Sequence, residues 1–236
     1  MISDGFRNHP VGQMTVSALE ACHGKGFEFY FYSTSNHIDY ITERFKSIAS
    51  SWMLVDHLDD AGVAEKIKED KIDVLIDLAG HNSGNKVMAM AMEPAPVIVK
   101  WVGGLINTTG VEAIDYLISD SVETPQGVDD KYVEKLVRLP DDYICYTPPP
   151  YYPAVSPLPA ASNGYVTFGC FNNAKKINEE ILKCWASIMR DLPNSRLFLK
   201  SLQFDSQELK EWVENTLVSL GISHDRLRIE GPSAHL

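Results

Sequence analysis

The sequence predicts an α/β fold made of two Rossmann-like units with parallel sheets, the second of them incomplete. Three observations carry that expectation. Apolar runs of strand length recur along the chain, amphipathic helical patterns fall between them, and a proline-rich stretch separates two groups of such runs. Strands that alternate with helices imply right-handed βαβ units, whose central strands read as continuous apolar runs.

In chain order the expected strands are Phe27 to Tyr32, Ile72 to Leu78 and Val97 to Val102, then Tyr165 to Phe171, Arg196 to Lys200 and Arg226 to Ile229. Each is rich in β-branched and aromatic residues and has the length of a buried strand. The clearest helix follows the fourth run, because Ile181, Leu182, Trp185, Ile188, Met189 and Leu192 fall on one helical stripe. Asn178 is its expected N-cap, Glu179 and Glu180 suit the positive end of the helix dipole, and Pro193-Asn194 stops it. A second helix is expected to open at Asp205 with Glu208 completing a capping box. It turns Leu209, Trp212, Val213, Leu217 and Leu220 inward and ends at Gly221.

Between Tyr146 and Gly164 lie six of the chain's 13 prolines, Pro148, Pro149, Pro150, Pro153, Pro157 and Pro159. Such a segment cannot join a sheet ladder and reads as a semi-rigid linker, which divides the chain into residues 1–146, a linker over 147–163 and a second unit over 164–236. Both ends read as cut. Only Ile2 precedes a loop-like Ser3-Asp4-Gly5, so the first strand is expected to be missing, and the second unit stops after its third strand.

Of the 236 residues, 44% are hydrophobic and 22% charged, which is ordinary globular usage. Twenty-one basic residues against 32 acidic ones give a net charge of −11, and no Lys/Arg run offsets it, so nucleic acid and anionic membranes are poor partners. The apolar stretches are far shorter than a membrane span, and the polar start is no signal peptide; a cytoplasmic protein is expected. Cys22, Cys145, Cys170 and Cys184 show no metal or redox spacing, so buried reduced thiols are expected and no metal.

Four segments could carry chemistry. The first, Phe6-Arg7-Asn8-His9-Pro10-Val11-Gly12, holds a histidine in a loop at the carboxyl end of a strand, where α/β proteins place ligands and where an imidazole can exchange a proton near neutral pH. The second runs from Asp77 through Gly80, His81, Asn82, Ser83 and Gly84 to Lys86, a strand-to-helix turn whose glycines let backbone approach a ligand. It is neither a Walker loop nor a dinucleotide fingerprint. The third, Gly169 to Ile177, places Lys176 near a helix N-terminus, a suitable cradle for a pyrophosphate. The fourth is Glu93 to Gly104, a Pro-x-Pro entry to a buried strand, with the small polar loop Asn107-Thr108-Thr109-Gly110 behind it. Each also has a bland reading: a histidine bonding its own loop, an ordinary turn, solvated lysines, turn chemistry alone.

Together, in this order, these blocks resemble the catalytic region of the protein O-glycosyltransferases of the O-GlcNAc transferase and SPINDLY family. The matched features are Phe6-Arg7-Asn8-His9-Pro10, Gly80 to Lys86, Pro94-Ala95-Pro96 with Trp101, Asn107 to Gly110 with Asp115-Tyr116, and Phe171-Asn172-Asn173 with Lys176. The resemblance implies a GT-B architecture, with the first unit on the acceptor side and the second binding the nucleotide sugar. It implies that His9 is the catalytic histidine often assigned as proton acceptor, that Lys176 neutralises the donor diphosphate, and that Asn173 binds donor. Asp77, His81, Asn82, Asn107, Thr108 and Thr109 become candidate cleft residues, and Asp70 and Asp73 candidate helpers. The implied reaction transfers a sugar, N-acetylglucosamine from UDP-GlcNAc, to Ser or Thr of proteins without a metal or other cofactor. The Gly80-His81 block looks closer to the SPINDLY branch, some of whose plant members use GDP-fucose. Gly5 stands where the family usually has aspartate, and the tetratricopeptide repeats and later donor segments are absent. A sugar- or peptide-binding remnant without turnover is the rival reading, while a dehydrogenase lacks its glycine fingerprint.

Overall fold

A computed structural model describes residues 1–104 and 107–233. The chain divides into two compact units, Met1–Tyr152 and the residues from Pro153 onward.

The first unit contains β1 (Ile2–Ser3), α1 (Pro10–Cys22), β2 (Phe29–Ser33), α2 (Tyr40–Ile48), β3 (Ala49–Leu54), α3 (Asp60–Glu69), β4 (Val74–Asp77), α4 (Val87–Met90), β5 (Val97–Trp101), β6 (Tyr116–Asp120) and β7 (Lys135–Leu139). Its seven strands are all parallel in the order β3-β2-β1-β4-β5-β6-β7. The chain works outward from β1 to one edge, then returns to the other side of β1 at β4, so the topological switch point lies between β1 and β4. The first strand is therefore present. It is only two residues long, too short for any periodicity, yet it is central: Ile2 pairs with both Tyr32 and Asp77. β3, β6 and β7 also escaped the sequence reading, since Ala49-Ser50-Ser51 and Lys135, Arg138 break the apolar runs.

Strand alternation sorts the core into two layers. Phe29 and Phe31 of β2 join Val16 and Leu19 of α1 and Ile41, Phe45 and Ile48 of α2. Tyr32 of the same strand turns the other way, onto Val63, Ala64 and Ile67 of α3 and Ala89 and Met90 of α4. Phe6, 2% exposed, lies edge-on to Phe31, Phe45 and Trp52 with ring centroids 5.2, 5.1 and 5.8 Å away. Burying such a ring contributes roughly 2–3 kcal/mol and fixes the loop that follows β1.

The second unit contains α5 (Pro159–Asn163), β8 (Thr167–Cys170), a 3-10 turn (Ala174–Lys176), α6 (Glu179–Asp191), β9 (Arg196–Lys200), α7 (Gln207–Ser219) and β10 (Leu227–Glu230). Three parallel strands run in the order β10-β9-β8. Asn178 caps α6 as expected, its Oδ1 accepting from Ile181 N at 2.9 Å. The buried stripe of α6 is narrower than its apolar pattern: Leu182, Ala186 and Met189 are covered, whereas Ile188 and Leu192 are exposed. The cap of α7 is Ser206, not Asp205, because Leu202–Asp205 forms its own 3-10 turn first. Gly221 does end α7, at φ +87, a left-handed conformation that suits glycine. Both helices pack on Leu197 and Leu199, one face of the small sheet, and the alternate residues Thr167, Gly169, Arg196 and Arg228 are exposed. No cysteine is buried: Cys145 and Cys184 are exposed, Cys22 and Cys170 half-buried, all as free thiols. Cys22 and Cys170 pack at the margins of the two cores.

Candidate functional site

In open parallel sheets ligands bind outside the carboxyl ends of the strands at the switch point. Here that place is flanked by the loop after β1, which carries His9, and the turn after β4, which carries His81. Asp4 and Thr34 lie 3.8 Å from the point where a side chain on Gly84 would begin, so the β4 turn runs against the β1 loop.

The β1 loop is rigidly held. Thr42 Oγ1 donates to Phe6 O at 2.8 Å, and Asp39, the N-cap of α2, accepts Asn8 N at 2.6 Å. A side chain on Gly12 would begin 2.3 Å from Arg7 O and 2.7 Å from Gly5 O, so glycine there lets the loop lie on α1. His9 is the N-cap of α1 with Pro10 in the first turn, and its Nδ1 accepts from Val11 N at 3.3 Å. Since Nδ1 accepts, the proton of neutral His9 sits on Nε2. Burial, and then the Arg7 guanidinium, hold this imidazole below the usual histidine range, so it stays neutral near pH 7.

The β4 turn depends on Asp77, which is 1% exposed. Its oxygens accept Ala79 N at 3.0 Å and Gly80 N at 2.8 Å, so this carboxylate shapes the turn instead of facing a ligand. Burial pushes Asp77 up to about 6 against those two amides, Lys100 and His81. Gly80 at φ +56 and Gly103 permit the close approach of the turns after β4 and β5: a side chain on Gly103 would begin 2.2 Å from Leu78 O. His81 and Asn82 are exposed. His81 Nε2 stands 2.7 Å from Thr109 O, a carbonyl that can only accept, so Nε2 donates.

Two buried residues that the sequence reading passed over tie these segments together. Lys100 on β5, 2% exposed, donates from Nζ to Asn107 O at 2.5 Å. Glu134, 3% exposed, accepts from Thr108 Oγ1 at 2.7 Å, from Thr109 N at 2.6 Å and from Thr109 Oγ1. The hydroxyls of Thr108 and Thr109 are thus turned onto Glu134, and of this loop Asn107 and Gly110 are exposed. A lysine inside an otherwise apolar strand was the available signal for Lys100; a lone glutamate ahead of β7 offered none. Asp70 and Asp73 precede β4, at the opposite edge of the sheet from His9, and Asp70 is occupied by Tyr32 OH and Lys66 Nζ at 2.8 and 2.6 Å. A cavity of about 610 Å³ beside Phe27, Asp70 and Val74 lies at that same amino edge.

In the second unit Asn173 caps the 3-10 turn, its Oδ1 accepting from Lys175 N at 3.0 Å, and Lys175 and Lys176 are both exposed. Lys176 therefore lies in that turn, ahead of the Asn178 cap of α6, and not within the helix's first turn. Gln203 fastens the segment by accepting Ala174 N at 3.2 Å and Ser201 Oγ at 2.5 Å. Among the described residues no group of three or more His, Cys, Asp or Glu is placed to hold a metal, and no helix is long and apolar enough to cross a membrane.

Comparison with known proteins places the chain in a family. The family described as glycosyl transferase family 41 matches residues 1–147. The Arabidopsis thaliana protein named probable UDP-N-acetylglucosamine–peptide N-acetylglucosaminyltransferase SPINDLY is 40% identical over 230 residues, 96% of this chain and 25% of its own length. Its namesake SEC from the same plant is 31% identical over 208 residues, 84% of this chain and 21% of its own length. The solved structure of a variant of the Thermobaculum terrenum O-GlcNAc transferase superposes with a TM-score of 0.91 at 35% identity, covering 99% of this chain and 44% of that one. The chain thus spans about a quarter of the length of the curated relatives it matches. Its α/β fold with parallel sheets matches the GT-B fold of that enzyme, and the chain belongs to glycosyl transferase family 41.

Proposed function

We propose that this chain is the acceptor-side unit and the beginning of the donor-binding unit of a protein O-glycosyltransferase, acting without a metal on a nucleotide-sugar donor and on Ser or Thr hydroxyls of proteins. The observation that carries this reading is the pairing of the His9 loop with the His81 turn across the β1/β4 switch point in a chain of family 41. N-acetylglucosamine is the sugar we favour, since the relatives carry that activity in their names. Neutral His9 presents Nε2–H outward, so it acts on substrate as a hydrogen-bond donor that orients an oxygen. Lys176 supplies the positive charge for the departing nucleoside diphosphate, with the Asn173 amide beside it. A net charge of −11 suits a cytoplasmic enzyme with protein substrates.

Sugar transfer by the full-length protein from UDP-GlcNAc and from GDP-fucose to a Ser/Thr peptide tests the reading. Transfer from UDP-GlcNAc is the expected result. Transfer from GDP-fucose alone would keep the enzyme and change the sugar, in line with higher identity to SPINDLY proteins than to SEC; transfer from neither would leave a binding remnant. Lys176→Ala should weaken nucleoside diphosphate binding by roughly one to two orders of magnitude, the worth of a charge-assisted bond of about 1.5–3 kcal/mol, with Lys175→Ala nearly silent. Equal losses in calorimetric titrations of the two variants would remove Lys176 from the donor site.

A further inference from the structure

The two histidines at the switch point present opposite chemistry to a substrate, and the hydrogen bonds each makes decide which. His9 accepts at Nδ1 from Val11 N, leaving a protonated Nε2 as its free atom. His81 donates from Nε2 to Thr109 O, leaving Nδ1 as its free atom, and in the neutral ring that nitrogen is bare. Both rings are the same Nε2–H tautomer, but the nitrogen left free is a donor on His9 and an acceptor on His81. A group that is to remove a proton from a hydroxyl needs a free lone pair, and of these two only His81 has one.

We propose that His81 is the proton acceptor of the transfer reaction, an inference that rests on the glycosyltransferase reading above. As the Ser or Thr oxygen attacks the anomeric carbon, its proton passes to Nδ1 of His81. The bond from that carbon to the phosphate oxygen breaks with its electron pair, and the nucleoside diphosphate departs. The imidazolium then returns its proton to solvent. The surroundings are built to hold His81 for this. Its partner carbonyl belongs to Thr109, whose N–H and hydroxyl are both fixed by buried Glu134. The turn that carries it is shaped by Asp77 through Ala79 N and Gly80 N. Among the described residues the charged groups around that turn include Asp77 at the end of β4, Lys86 at its far end with Nζ donating to Leu58 O, Lys100 on β5, Glu134 ahead of β7, and Asp4 after β1, which faces Gly84.

Two substitutions separate the roles without removing the structural bonds. In His81→Gln the amide nitrogen takes the place of Nε2 and keeps the bond to Thr109 O, but no basic nitrogen remains. In His9→Asn the amide oxygen takes the place of Nδ1 and keeps the cap on Val11 N. With the full-length protein, H81Q should lower kcat by about 10²- to 10⁴-fold, leave KM for the donor unchanged, and abolish the rise of kcat with pH that a histidine base produces. H9N should lower kcat less and keep that rise. Nitrogen-15 spectra of the histidine rings give a readout independent of turnover: both should be the Nε2–H tautomer. Transfer by H81Q at the wild-type rate with the pH rise intact, or an Nδ1–H tautomer at His81, would overturn the assignment while leaving the enzyme standing. No transfer by the wild-type protein from any donor would overturn both.

Discussion

Replacing Glu134 by alanine removes the acceptor that holds Thr108 and Thr109, and its cost can be worked from the three bonds it makes. A hydrogen bond to an ionised group contributes about 1.5–3 kcal/mol, and a buried donor left without a partner costs about as much. Thr109 N and Oγ1 are buried with Glu134, whereas Thr108 is half-buried and can turn to water. One bond is therefore largely recovered, and the loss comes to about 3 kcal/mol. For a unit of this size that lowers Tm by roughly 6–12 °C. Urea unfolding of wild type and Glu134→Ala gives the free energy, and amide exchange at Thr109 reports whether the loss is local. A pH series adds a second check. Burial raises the Glu134 carboxyl, but the bonds from Thr109 and Thr108 outweigh it and leave its pKa below the usual value. A group depressed in the fold stabilises it above the unfolded value, about 4.3, and that contribution fades as pH falls through the folded value. The gap between wild type and variant should thus close in acid. A variant within about 0.5 kcal/mol of wild type at neutral pH would refute the claim that Glu134 secures this loop.

Asp77 should behave with the opposite sign: its carboxyl is raised from 3.8 to about 6, so its ionisation costs the fold up to roughly 3 kcal/mol as pH rises through about 6. Asp77→Asn, which cannot ionise, should show a flatter dependence of stability on pH between about pH 4 and about pH 7, and parallel curves would contradict this. Gly12→Ala places a methyl 2.3 Å from a backbone oxygen and should destabilise by about 1–3 kcal/mol, although glycine to alanine inside a free helix stabilises; a raised Tm would show that the loop does not lie on α1. Limited proteolysis should cut first between Tyr152 and Leu158, where Tyr152 and Leu158 are exposed and Val155 is fully so. Cuts at Cys145 or Thr147 are not expected, because Cys145 N and Thr147 N donate to Met14 O and Gln13 O, and early cleavage there would mean that these bonds do not hold.

What the sequence determined is what neighbouring residues decide among themselves. The apolar runs over β4, β5 and β9 announce parallel strands, the stripe and Asn178 announce α6, and Gly221 announces the end of α7. Each depends on contacts within about one or two turns, so composition and spacing suffice. The order of the motifs also carried the family. The tertiary structure alone decided the rest. β1 is central although it is two residues long, because its value comes from pairing with strands some thirty and seventy-five residues away. The burial of Asp77, Lys100 and Glu134, and the hold of Lys100 and Glu134 on the loop from Asn107 to Thr109, come from segments at the ends of β4, β5 and β7 that lie far apart in sequence. Which nitrogen each histidine leaves free depends on a partner two residues on for His9 and twenty-eight residues on for His81. A side chain's chemistry is set by what the fold brings to its other end, and no local pattern contains that.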